Sequence, residues 1–273
     1  MGIKTRFSGG SIRSKPSRPA FQIAFIALFA LFGLSDDINA AGIKLPFAPG
    51  ERLTFQIKWA FINAGEAVLE VFPAKTTGNM KSCHFVMTAK TSSFVDIFYK
   101  VRDRIDAYTD MKMTHSMLFK EQKSGKRRKK VVIRFDWDKL EAQYSNSGKI
   151  RKPVAIQPGS FDPLSIFYAF RLFDLQEGKI LKAWVTDGKK CVLGKAAVVR
   201  REKVKVASGT FDTYLVEPDP EIFGGVFDKS KDAKLKIWVT SDSRRLPVKI
   251  ASKVIVGSFV AELVSAKKIG KIN

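Results

Sequence analysis

Cysteine, histidine and acidic side chains are scarce in this chain: two Cys and two His among 273 residues, and 26 acids against 48 bases. So few thiols and imidazoles leave little material for a zinc site, an iron–sulfur cluster or a Cys/His relay, and no metal or cofactor is expected. Nucleotide-binding glycine patterns are also missing, since Gly188 and the Gly224-Gly225 pair stand isolated. No Ser, His or metal constellation typical of an envelope hydrolase can be read, so the chain is taken as a non-enzyme. Long apolar runs are lacking too. The one at Ala20 to Leu34 covers 15 residues, ~22 Å of helix against a hydrocarbon core of about 30 Å.

The remaining composition is ordinary for a globular domain, with 45% hydrophobic and 27% charged residues. Its net charge of +22 is not. Such an excess points toward anionic partners: nucleic acid, lipid head groups or acidic glycans. The N-terminus chooses among them. Lys4, Arg6, Arg13, Lys15 and Arg18 precede the apolar run with no acid between them, and Ser35 to Ala41 supplies a polar exit ending in small residues. This is the pattern of a signal peptide over residues 1–40, cleaved after Ala40 or Ala41, followed by a single exported domain over 41–273. An inner-membrane signal anchor is the alternative. No cysteine stands near the cut, which excludes a lipoprotein anchor. Export to the periplasm removes nucleic acid as a partner and leaves lipid, lipopolysaccharide or an envelope protein, with no stable transmembrane span after cleavage. Beyond residue 40 the chain keeps 43 bases and 24 acids, a net charge of +19, so the basicity belongs to the domain itself.

Period-two alternation dominates that domain. Leu53, Phe55, Ile57 and Trp59 alternate with polar neighbours, and so do Ala67-Leu69-Val71, Val131-Ile133-Phe135-Trp137, Leu235-Ile237-Val239 and Phe259-Ala261-Leu263. Turn residues recur between them. The expected fold is all-β and mainly antiparallel: an open or closed β-barrel, or wrapped sheet, around one buried helix. That helix opens at Asp162-Pro163, a cap followed by proline at the first helical position, and its LSIFYAFRLF sequence is interrupted by only Ser165 and Arg171. A shorter helical turn is expected within Ser92 to Tyr99.

Gly50-Glu51-Arg52-Leu53-Thr54-Phe55, Ala64-Gly65-Glu66-Ala67, Phe161-Asp162-Pro163-Leu164-Ser165 with Arg171, Gly209-Thr210-Phe211, Ile237-Trp238-Val239 and Arg245-Leu246-Pro247-Val248 occur in that order. The series resembles the bacterial exported family called domain of unknown function 3108, from about Phe47 to Leu263. The resemblance implies a periplasmic antiparallel β fold, a partly open barrel or wrapped sheet around a helix. It implies no activity and transfers no catalytic residues.

Individual candidates are weighed against ordinary structural roles. Cys83 and His84 are adjacent on a strand and so point to opposite faces, which argues against a catalytic pair. His115 has no carboxylate or nucleophile pattern beside it. Asp162 reads as a helix cap. Asp103/Asp106 and Asp136/Asp138 lack a glycine-centred oxygen-rich loop and read as solvated strand faces rather than calcium ligands. The basic run Lys126, Arg127, Arg128, Lys129 and Lys130 suits a charged hairpin tip that keeps a β protein apart from its neighbours, since the positive charge is spread over the whole domain; its functional alternative is a contact with an anionic surface. The segment Glu217 to Asp232 carries Ile222, Phe223, Val226 and Phe227 around a Gly-Gly hinge, as a lid over an apolar groove or as a plug would; with Trp59 these form the candidate ligand contacts. Cys83 and Cys191 are taken as two free thiols. The function expected is non-enzymatic binding or handling of an amphiphilic, lipidic or anionic envelope component, with an envelope scaffold or assembly factor as the alternative.

Overall fold

A computed structural model describes residues 45–77, 80–125, 128–219, 234–254 and 257–268. The leader expected over 1–40 lies outside these residues. Within them the alternation resolves into strands β1 (Arg52–Trp59), β2 (Ile62–Thr77), β3 (Met80–Thr91), β4 (Val101–Asp110), β5 (Ser116–Gly125), β6 (Lys129–Asp136) and β7 (Glu141–Asn146), with the short β8 (Lys149–Ile150) and β9 (Val154–Ala155). After a helical interruption the chain continues through β10 (Ile180–Thr186), β11 (Cys191–Val206), β12 (Gly209–Pro218), β13 (Lys234–Thr240), β14 (Pro247–Val254) and β15 (Gly257–Lys267). Two α-helices accompany them, α1 (Ser93–Asp96) and α2 (Pro163–Ala169), the latter prolonged by a 3₁₀ turn over Phe170–Leu172.

The strands form one antiparallel meander in two halves. β10 to β15 follow one another in sequence, β15 pairs β1, and β1 to β8 complete the order, with β9 added on β7. The sheet curls around its core but does not close, because no ladder joins β10 to the β7–β9 edge among the described residues. The gap is spanned by packing and a single strand-like residue. Phe161 bridges β10 in parallel, its amide donating to the Trp184 carbonyl (2.9 Å) and its carbonyl accepting from Thr186 (2.9 Å). One residue earlier, the Ser160 carbonyl accepts from the amide of Ser116 at the start of β5 (3.1 Å). Gly188, in the β10–β11 turn at φ +75°, completes the seam. A Cβ there would lie 3.0 Å from Ile133 Cγ1 and 3.1 Å from Tyr144 Cβ, so only glycine lets the turn rest on β6 and β7.

One end of the curled sheet is filled by α2. Asp162 caps it, accepting from the amides of Leu164 and Ser165 (both 2.9 Å) and from the hydroxyls of Ser116 and Ser165 (both 2.6 Å). The buried helix, with Leu164, Ile166, Phe167 and Tyr168, packs against β3, β4 and β10, with the Tyr168 ring stacked 4.1 Å from Phe85 on β3 and edge-on to Phe47 at 5.4 Å. The two polar residues of the helical stretch are buried as well. Arg171 is 2% exposed, and its guanidinium donates twice to Glu51 (2.6 and 3.0 Å), and to the carbonyls of Arg244 and Pro46. A buried charge survives only with such pairing. The helical end is therefore closed by packing and by ion pairing together.

Candidate functional site

The register places the other end of the sheet at a common rim. Trp59 pairs with Phe259 and Ile62, Gly65 with Thr91, Lys90 with Arg102, Val101 with Gly125, and Lys253 with Ser258. The β1–β2 turn, α1 and the start of β6 thus stand together, opposite the α2 end. At this rim the chain leaves large apolar side chains in solvent: Phe61 is 101% exposed, Ile97 76%, Phe98 69% and Phe94 57%.

Local hydrogen bonds hold these residues in place. Ser92 caps α1, and its hydroxyl donates to the Asn63 carbonyl (2.9 Å) while its amide donates to Ala64 (2.9 Å), binding the helix to the β1–β2 turn. Val95 turns inward and is buried, so Phe94, Ile97 and Phe98, spaced i, i+3, i+4, share the outer side of the turn. Asp96 is gripped by Arg102 Nη1 (3.1 Å) and Nη2 (2.5 Å) and by the Thr91 hydroxyl. Hydrogen bonds from Arg102, then from Thr91, hold its carboxyl below the usual range. Between α1 and the β4–β5 strands lies an open groove of about 490 Å³ lined by Asp96, Ile97, Phe98, Lys100, Arg102, Ser124 and Arg128. It continues through Arg102 and Ser124 into a second depression, about 380 Å³, where Arg52, Lys90 and Arg104 add further positive charge and Glu66 opposes them.

Just inside the rim the inner face of β4 to β6 changes from apolar to charged. Asp103 on β4 pairs in register with Lys123 on β5, and both are buried together with Glu121. Glu121 holds Lys123 Nζ at 3.2 Å and Lys129 Nζ at 3.5 Å. Neither oxygen of Asp103 meets a hydrogen-bond partner among the described residues. Burial pushes its carboxyl up to about 6, with Lys123 drawing it down and Glu121 raising it. Burial likewise lowers the Lys123 ammonium.

The expected site residues divide accordingly. Trp59 extends the inward row of β1 to the rim, where its ring stacks on Phe259 (6.3 Å) and remains partly exposed. Arg128 lines the groove and Lys130 is exposed, but Lys129 turns half inward to Glu121 rather than outward. Lys126 and Arg127 lie outside the described residues, as do Ile222, Phe223, Val226 and Phe227. The reading of Asp103 and Asp106 as solvated strand faces needs correction, because three positions along a strand put them on opposite faces. Asp103 is interior, whereas Asp106 faces outward and accepts from His84 Nε2 (2.9 Å) and from Arg104 (2.8 Å twice). Burial would push the Asp106 carboxyl up, but those hydrogen bonds outweigh it and hold it at about 2. Cys83 and Cys191 are unpaired, and burial raises the Cys83 thiol. His115 stacks edge-on against Trp137 at 4.5 Å with its imidazole pKa lowered by burial, an ordinary packing role. No cluster of three or more metal-ligating side chains occurs among the described residues. Sequence reasoning located the short helix but not its exposed triplet, for which the i, i+3, i+4 spacing after a serine cap was the available signal.

Similar architectures are known. A β-barrel-like protein of domain of unknown function 1849 from Brucella abortus aligns with 84% of this chain and 100% of its own length, at 8% identity and a TM-score of 0.50, and shares the fold. A Bacteroides fragilis protein described as exported aligns over 82% of this chain and 98% of its own at 12% identity, with a TM-score of 0.36. A Parabacteroides distasonis protein described as a lipoprotein aligns over 82% and 97% at 10% identity, with a TM-score of 0.33. No curated protein matches the chain. Among the described residues no helix is long and apolar enough to cross a membrane. Residues 54–264 match the family model "Protein of unknown function (DUF3108)", and the chain belongs to that family.

Proposed function

We propose that this protein is an exported, non-enzymatic binder of an amphiphilic envelope component with an anionic head. One observation carries the reading: Ile97 and Phe98 share a single open groove with Lys100, Arg102 and Arg128. Apolar side chains beside Lys100 and Arg128, which form no ion pair among the described residues, match a molecule with a hydrocarbon part and a phosphate or carboxylate head. The interior of the sheet contributes less to such binding, because α2 and the inward strand rows fill it.

Native mass spectrometry of the full chain, released gently from cell envelopes, tests the reading. An anionic amphiphile should accompany the parent and be lost from a Phe98→Ser/Arg128→Glu variant. A bare chain in every preparation contradicts it. The filled core supports a second reading, an envelope scaffold working through protein contacts, which gains ground if the same preparations carry a stoichiometric protein partner and no amphiphile.

A further inference from the structure

We infer that the rim is a docking face for an anionic bilayer surface, with Phe61, Phe94, Ile97 and Phe98 entering the interface and the surrounding cations resting on the head groups. The inference rests on the rim reading above and adds the partner's physical form. Four large apolar side chains exposed by more than half, drawn from two neighbouring elements, form a patch unusual on a protein that stays in water. The exposure is held in place: Ala60 at the turn donates to the Ser258 carbonyl (3.1 Å), and α1 is bound through Ser92 to Asn63 and Ala64. The chain maintains these side chains outward.

The shape of the patch favours a bilayer. Phe61 projects from a turn tip with its whole surface in solvent, and the helical triplet projects from a single turn, so both features are convex. A bilayer interface closes around projecting side chains without needing a pre-cut pocket. The charges complement it. Lys100, Arg128, Lys130 and Lys253 are exposed at the same end and form no ion pair among the described residues, while the one acid in the groove, Asp96, is neutralised by Arg102. Anionic head groups attract such a basic border. A second copy of the chain is disfavoured, since facing rims would bring these unpaired cations together on domains carrying a net charge of +19 each beyond residue 40.

Sedimentation with vesicles tests the inference, using the full chain. Phosphatidylglycerol-rich vesicles should carry the parent down, and phosphatidylcholine vesicles should carry much less. Phe61→Ser/Ile97→Ser/Phe98→Ser and, separately, Lys100→Glu/Arg128→Glu should each weaken partitioning by about tenfold or more. All five positions are exposed, so the melting temperature should stay that of the parent. Residues 20–34 are identical in every variant and cannot cause a difference between them. Unchanged partitioning of both variants, or equal binding to both lipids, overturns the docking face. Capture of monomeric short-chain phosphatidylglycerol without vesicle binding also overturns it, while leaving the amphiphile reading intact. Vesicle binding without any co-purifying amphiphile does the reverse.

Discussion

Arg171 and Glu51, 120 residues apart, form a two-point ion pair in the interior, joining the end of the helical segment to the entry of β1. Removing one partner strands the other charge in a dry site. Arg171→Met should therefore destabilise by about 3–5 kcal/mol, lowering the melting temperature by roughly 10 °C in a domain of this size. Glu51→Leu combined with Arg171→Met should recover part of that loss. Recovery stays incomplete because the Arg244 and Pro46 carbonyls also lose their donor. Thermal melts of the single and double variants check this, and an additive double variant would show that the pair is not coupled.

Asp103 should make stability fall as pH rises. Its folded carboxyl titrates at about 6 against an ordinary 3.8, so the folded chain holds this proton more tightly than the unfolded one. The contribution is fully present below the unfolded value and is lost as pH climbs through 6, to the extent of about 2–3 kcal/mol. Lys123, facing the same interior, moderates the loss, and the like charge of Glu121 adds to it. Asp103→Asn should be more stable than the parent at pH 8, and the difference should shrink or reverse near pH 4. A stability difference constant from pH 4 to 8 would contradict the assignment.

These two predictions mark where the sequence was legible. The alternation of Leu53, Phe55, Ile57 and Trp59 identified an inward row because the period of a strand is fixed by its backbone, and Asp162-Pro163 identified the helix start because capping is a local matter. Arg171 stands out in the sequence only as an interruption of an apolar helix, since its partner is 120 residues away and no local rule connects them. Asp103 and Lys123 occupy inward positions of their strands, but charge normally signals the wet face, and only the strand pairing shows that the two face each other inside. The rim was illegible for the same reason: its turn, its short helix and its basic strand start meet only once the register is known.

The two thiols should differ in reactivity. Cys83 is buried and its thiol is raised by that burial, whereas Cys191 is half-buried. A disulfide reagent should modify Cys191 well before Cys83 in the folded chain. Denaturing, non-reducing titration should then find both thiols; finding none would show that they pair.

The most direct test of the rim as the working end is amide hydrogen exchange on the full chain, with and without phosphatidylglycerol-rich vesicles. The account predicts slower exchange at the β1–β2 turn and across residues 93–100, with Pro163–Ala169 of α2 unchanged at the closed end. Unaltered exchange at the rim, or slowing confined to the α2 end, would contradict it.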